Sequence, residues 1–209
     1  MMQANVKPVR KIMPMASLIF AAVLLVAGCA SQPPVPTDKY YRLQAVLAAA
    51  PASTPRFQGN FQVERFTADG LTAGRPIVYV ESNDGNQLLE YHYHFWTQPP
   101  TVMLRDELVT YLRASKIAES VVTPDMRLDP QYVMTGRIRK LEQVLGSPNR
   151  TRLELEIALR QTDNNKLMFL KSYLHESNQT SPGVSSAVDA LNEALNIIYS
   201  DLLADLRSL

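Results

Sequence analysis

Thr151-Arg152-Leu153-Glu154-Leu155-Glu156-Ile157-Ala158-Leu159-Arg160-Gln161 decides how this chain folds. Leu153, Leu155, Ile157 and Leu159 occupy every second position, with Arg152, Glu154, Glu156 and Arg160 between them. A period of two puts the four apolar side chains on one face of a strand, whereas a helix would scatter them around its circumference. One face is therefore dry and the other wet, the pattern of a strand in an antiparallel sheet covered on a single side.

Turn signals stand on both sides of this stretch. Upstream, Gly146-Ser147-Pro148-Asn149 separates it from Tyr132 to Leu145, where Tyr132, Met134, Gly136 and Ile138 share a face. Downstream, Asp163-Asn164-Asn165 turns the chain into a returning strand, Leu167 to Glu176. Gly, Pro, Asn and Asp supply the backbone conformations that reverse a chain. Together the three segments predict an antiparallel meander.

The remainder of the chain supplies a cover for that sheet. Val188, Leu191, Leu195, Ile198 and Leu202 repeat at spacings of three and four, which predicts a helix from about Ser185 to Arg207. Ser186, three residues before Asp189, resembles a capping box with Asp in place of Glu. The stripe is expected to pack on the sheet rather than on a partner helix. Asn192, on a neighbouring exposed face with Glu193, Asn196 and Asp201, should tolerate Lys within ~0.5 kcal/mol. A second helix is predicted from Thr101, as its cap, to Ser115. Leu104, Leu108, Tyr111 and Leu112 form its dry face, while Arg105, Asp106 and Arg113 face water. Further strands read over Phe57 to Phe66, Pro76 to Glu81 and Leu88 to Trp96. The turn Ser82-Asn83-Asp84-Gly85-Asn86 joins the last two through a loop longer than two residues. Ala48 to Pro55 reads as a surface loop. The expected fold is α+β: an antiparallel-rich sheet covered by two main helices, in a single domain over residues 40–209.

The first 39 residues have a different character. Lys7, Arg10 and Lys11 precede an apolar run from Ala16 to Ala27. Twelve residues make roughly 18 Å of helix, well short of the ~30 Å core of a bilayer, and this length suits a signal-peptide core. The run ends in Val26-Ala27-Gly28-Cys29, which resembles the bacterial lipobox. Residues 1–28 are thus expected to be a cleaved lipoprotein signal, cut between Gly28 and Cys29. Cys29 would carry the acyl chains, palmitate among them, because stable anchoring takes more than one chain. Ala30 rather than Asp after the cysteine favours outer-membrane sorting, by analogy with bacterial rules. Residues 29–39, with Pro33, Pro34 and Pro36, read as a tether.

Composition removes several classes of function. The net charge of +1 becomes slightly negative once Lys7, Arg10 and Lys11 leave, since 18 basic residues then face 20 acidic ones. That balance provides no basic stripe for nucleic acid. Cys29 is the only cysteine, so the mature domain has no disulfide and no thiol chemistry. His92 and His94 could point two imidazoles at one metal from a strand, but a zinc site needs three or four ligands and His175 is the only other histidine. Tyr91, Tyr93, Phe95 and Trp96 around the pair favour a packed or partner-facing strand. No nucleophile elbow, zinc-protease helix, phosphate loop or dinucleotide turn occurs. No catalytic, metal or cofactor-binding residue is assigned, and no enzyme activity is expected.

Several of these segments also carry a family resemblance. Tyr40-Tyr41-Arg42-Leu43 follows the lipobox and tether. Arg75-Pro76-Ile77-Val78-Tyr79 comes next, and then Leu89-Glu90-Tyr91-His92-Tyr93-His94-Phe95-Trp96 runs into Pro99-Pro100. Leu108-Val109-Thr110-Tyr111-Leu112 closes the following helix. This order resembles the ABC-type transport auxiliary lipoproteins, the group that includes the paraquat-inducible C-type lipoproteins. The Trp96-x-x-Pro99-Pro100 junction is its most specific element, and Thr97 departs from the small residue common there. The resemblance implies a non-catalytic partner of an MCE-domain protein anchored in the inner membrane. Such a partner would sit on the periplasmic face of the outer membrane, serve lipid transport and membrane integrity, and could contact phospholipid or form a homo-oligomer. Two other readings stand beside it: a periplasmic lipid-binding chaperone with its own apolar cavity, and a structural lipoprotein of another envelope assembly.

Overall fold

The strand centred on Ile157 lies deep within the sheet, between two long neighbours. The computed structural model describes residues 35–81 and 84–209, so the signal sequence, Gly28 and Cys29 lie outside the described residues. Asp38–Leu209 form one compact unit. In chain order it contains β1 (Lys39–Tyr41), β2 (Phe57–Val63), β3 (Thr67–Ala68), β4 (Pro76–Glu81), β5 (Asp84–Trp96), α1 (Pro100–Ser115), β6 (Ala118–Val122), β7 (Tyr132–Leu145), β8 (Arg150–Gln161), β9 (Leu167–Asn178) and α2 (Val184–Ser208). The fold is α+β, with two helices packed on one sheet.

The meander is present as expected. β7, β8 and β9 pair antiparallel over nearly their whole lengths, with Ile157 opposite Gly136 on one side and Lys171 on the other. Leu153, Leu155, Ile157 and Leu159 are completely buried. In β7 the shared face holds from Met134 to Ile138 and then shifts. Ile138 is opposite Leu155 but Lys140 is opposite Glu154, so one extra residue is inserted. This bulge lets Lys140 stay on the wet face while Leu141 returns to the core.

The expectation of an antiparallel-rich sheet requires correction. Among the described residues the sheet is mixed, and five of its eight pairings are parallel. The edge of β7 away from β8 is shared by three short strands in turn. β2 pairs with Tyr132–Met134, β3 with Arg137 and Ile138, and β4 with residues 142–145. Beyond them β2 pairs with β6, and β4 leads through β5 to β1. Period-two alternation reports which face is dry, but not which way a neighbouring strand runs. The β4–β5 hairpin is also tighter than expected: Glu81 pairs with Asp84, leaving only residues 82 and 83 between the strands. β6 and β1, of five and three residues, are too short to show alternation in sequence.

Both helices bury their stripes in one core. Leu104, Leu108, Tyr111 and Leu112 of α1 meet Leu191, Leu195, Ile198 and Leu202 of α2 and the dry face of the sheet. The Tyr199 hydroxyl, fully buried, donates to the Leu104 carbonyl at 2.7 Å and ties the helices together. Arg105 lies mostly buried rather than in water, its Nε 2.6 Å from Asp106. The caps differ from expectation too. Thr101 lies inside α1, which starts at Pro100, where the missing N–H costs nothing. Ser186 lies inside α2 after Gly183, and its hydroxyl accepts from the Ser181 amide.

Residues 42–56 form a strap held across both helices. The amides of Gln44 and Val46 donate to the side-chain oxygens of Asn192 and Asn196 at 2.8 and 2.7 Å. The Ala45 amide donates to Glu107, and the Ala52 amide to the Ser115 carbonyl. Asn192 is thus not a free surface position. One turn apart on α2, it and Asn196 accept hydrogen bonds from backbone amides that no strand neighbour satisfies.

Candidate docking surface

Among the described residues β9 ends the sheet, pairing with β8 alone. Its inner face is locked to α2. Tyr173 donates to Asp205 at 2.6 Å, and Lys171 pairs with the same carboxylate at 2.7 Å. Burial pushes the Asp205 carboxyl up, but these two hydrogen bonds and the Lys171 charge outweigh it and hold the group below its usual range. The Tyr173 hydroxyl is pushed up, by burial first and then by its bond to Asp205. The strand is therefore rigid on the core side.

The outer side of the same strand is apolar and open. Leu167, Leu170 and Leu174 are 56%, 59% and 54% exposed. Leu170 lies opposite Ala158 and Leu174 opposite Glu154, on the wet face of the sheet. Beside Leu170 is a hollow of about 260 Å³, bordered by Thr135, Arg137, Glu156 and Ala158. Around it the wet face is laced with ion pairs, including Arg139–Glu156 and Lys140–Glu154. Glu142 and Glu176 both hold Arg152. Most natural edge strands are short, charged or covered, because a free edge can pair with another chain. A twelve-residue edge with three exposed leucines departs from that rule and can accept an extended segment. The sequence reading took Leu167 to Glu176 only as a returning strand. The signal there is apolar residues on both faces: Phe169 and Tyr173 against the core, Leu170 and Leu174 away from it, with Met168 packing inward at a register shift.

The aromatic strand β5 lies toward the other end of the sheet. Between Glu90 and Phe95 its register with β4 shifts, and over residues 94–96 its other edge pairs with β1. Lys39, Tyr41, His94 and Trp96 then fall on the core side, with Trp96 fully buried. The Trp96 amide donates to the Arg75 carbonyl at 2.7 Å and the Thr97 amide to the Tyr41 carbonyl at 2.8 Å. The Trp96-x-x-Pro99-Pro100 junction is therefore where the strand is pinned and α1 begins.

The histidines have separate surroundings. His94 stacks on Tyr41, with Nδ1 2.9 Å from the tyrosine hydroxyl, and meets the Tyr91 ring edge-on. Burial, and then the Lys39 charge, holds its imidazole below the ordinary value, which suits a neutral ring accepting from Tyr41. His92 is exposed beside Tyr93. His175 lies on β9, opposite Leu153. Among the described residues no group of three or more His, Cys, Asp or Glu could hold a metal. A groove of about 460 Å³ runs from Tyr41, Tyr91 and His94 to the start of α2, with Lys39 and Asp189 in its wall. Tyr91, which donates to Gln143 at 2.7 Å, has its hydroxyl pushed up to about 12 by burial and by Tyr79. Tyr40, Phe95 and Arg75 lie outside that groove: the Tyr40 and Phe95 rings are 5.8 Å apart, and the Arg75 guanidinium sits 5.4 Å above Tyr40.

Two helices packed on one face of a mixed sheet, with a leucine-bearing edge strand at one end and an aromatic strand toward the other, define an α+β class of domain, and comparison with known proteins narrows it. The family described as ABC-type transport auxiliary lipoprotein component matches residues 41–202, and the chain belongs to it. The crystal structure of protein XCC0632 from Xanthomonas campestris is similar in fold: TM-score 0.67, 18% identity, covering 79% of this chain and 92% of that one. A crystal structure of an uncharacterized protein gives a TM-score of 0.64 at 17% identity, covering 82% and 99%. No curated relative matches the chain.

Proposed function

We propose that this chain is a lipoprotein anchored through Cys29 to the periplasmic face of the outer membrane. There it serves as the non-catalytic docking component of an MCE-type ABC transport system moving lipid between the two membranes. The free, leucine-bearing edge of β9 carries this reading, because it offers a rigid strand to an extended segment of the MCE-domain partner. Membership of the transport auxiliary family supports a partner of that kind.

A lipid-carrying chaperone is the less favoured reading. Acyl chains call for an enclosed, largely apolar cavity. The hollows described above are bordered instead by charged side chains, Arg137 and Glu156 in one and Lys39 and Asp189 in the other.

The test is isolation of the tagged, full-length chain from cross-linked membranes of its own host. Recovery of an MCE-domain protein with wild type, and its loss with Leu170→Asp combined with Leu174→Asp at an unchanged melting temperature, is the expected result. Retention by that double variant would remove β9 as the docking edge, and capture without any MCE protein would remove the transport partner. Cys29→Ser should remain unacylated, uncut and outside the outer-membrane fraction.

A further inference from the structure

The position at which the chain enters the domain has a consequence for the surface around β1. Ten residue steps separate Cys29 from Lys39, and even fully extended they span at most roughly 35 Å. A domain of this size has a radius of gyration of about 15 Å, hence a diameter near 40 Å. If Cys29 is acylated, as proposed above, the β1 edge is held within about one domain diameter of the bilayer. β9 lies at the opposite end of the sheet path, beyond β5, β4, β7 and β8.

The side chains at the near edge differ in kind from those at the far edge. Tyr40 is 55% exposed on β1 and Tyr93 41% exposed on β5, with Phe95 beside Tyr40. Arg75 caps the Tyr40 ring, with its Nε donating to the Trp96 carbonyl. Asp38, which accepts from the Tyr40 hydroxyl, and Glu90 on β5 are the nearby acids. Tyrosine has an apolar body and a polar tip, and concentrates where hydrocarbon meets water. Arg and Lys pair with phosphate oxygens. The leucines of β9 have no such polar handles.

We propose that the patch formed by Tyr40, Tyr93, Phe95 and Arg75 rests on the headgroup layer of the membrane that holds the anchor, orienting the domain with β9 turned away toward the periplasm. Such a patch would bind vesicles weakly by itself. A short tether raises its effective concentration at the surface to the millimolar range, which makes weak contacts sufficient. The anchor supplies attachment, and the patch supplies orientation.

Because Cys29 is the sole cysteine and is consumed by acylation, an introduced cysteine becomes the only free thiol. The acylated full-length lipoprotein is reconstituted into phosphatidylethanolamine–phosphatidylglycerol vesicles containing a headgroup-quencher lipid. A thiol fluorophore is placed at Tyr93→Cys or, separately, at Leu170→Cys. The expected result is loss of intensity at position 93 and none at 170, with the loss at 93 abolished by adding Tyr40→Ser and Arg75→Glu. Equal intensity at both positions in protein that floats with the vesicles would overturn the patch while leaving the anchor intact. Quenching at 170 alone would overturn it as well, by inverting the orientation. Failure of the wild-type chain to float would overturn the anchor, and the patch with it.

Discussion

Gly136 on β7 is occupied by glycine because the Phe66 ring lies against its backbone. A Cβ built there would sit 2.6 Å from Cζ of Phe66 and closer still to two other ring carbons. Phe66 is only 2% exposed, so its ring has no free space into which to retreat. Gly136→Ala therefore forces a buried ring off its rotamer, an overpacking cost of about 1–3 kcal/mol. The lower unfolded-chain entropy of alanine offsets ~0.4–1 kcal/mol of this. A net loss of about 1–2 kcal/mol lowers the melting temperature by roughly 2–8 °C at this chain length. Thermal unfolding of residues 38–209 followed by circular dichroism measures it. Combination with Phe66→Leu provides the decisive comparison. Phe66→Leu alone leaves a gap over the glycine, whereas in the double variant the new methyl enters that gap. Its loss should fall at least ~1 kcal/mol short of the sum of the two single losses, as for side chains in direct contact. Strict additivity, or an alanine variant as stable as wild type, would refute the claim that the ring dictates the glycine.

Other outcomes follow from the same geometry. Leu195, fully buried at the centre of the α2 stripe, should cost ~2–5 kcal/mol as Leu195→Ala, and an unchanged melting curve would put the stripe outside the core. Asn192→Ala with Asn196→Ala removes the acceptors for the Gln44 and Val46 amides. The melting temperature should change little, since Gln44 and Val46 are exposed and their freed amides can turn to water, but hydrogen exchange at those two amides should accelerate; unchanged protection would mean the strap is held otherwise. Burial raises the Glu142 carboxyl above its ordinary value of 4.5 despite the opposing Arg152 charge. A raised folded value means that its stabilising contribution is complete below pH 4.5 and lost as pH rises through the folded value. Glu142→Gln mimics the protonated form, so it should melt at or above wild type at pH 7 and converge with it below pH 4.5; a variant markedly weaker at pH 7 would contradict this.

The sequence alone was sufficient wherever one element determines its own pattern. The alternation in β8 and the spacing of Val188, Leu191, Leu195, Ile198 and Leu202 each encode a dry face, because side-chain direction is set by local backbone geometry. The meander β7–β8–β9 was equally legible, since turn residues join strands adjacent in the chain. The family resemblance rested on local order as well, above all on Trp96-x-x-Pro99-Pro100, where a buried anchor and a helix-starting proline stand side by side. Tertiary structure decided what passes between distant segments. Whether β2, β3 and β4 run parallel to β7 depends on the crossover through β5, α1 and β6, and no period within a strand reports direction. The separate surroundings of His92 and His94 come from the register shift of β5 against β4 and from β1 pairing along its other edge at residues 94–96. The exposed leucines of β9 look like core residues in sequence, and only the packing of both helices on the opposite face of the sheet leaves them a surface. Asn192 reads as a solvated helix position until residues 44–46 are laid across it. In each case the deciding partner lies many residues away, where local propensity carries no information.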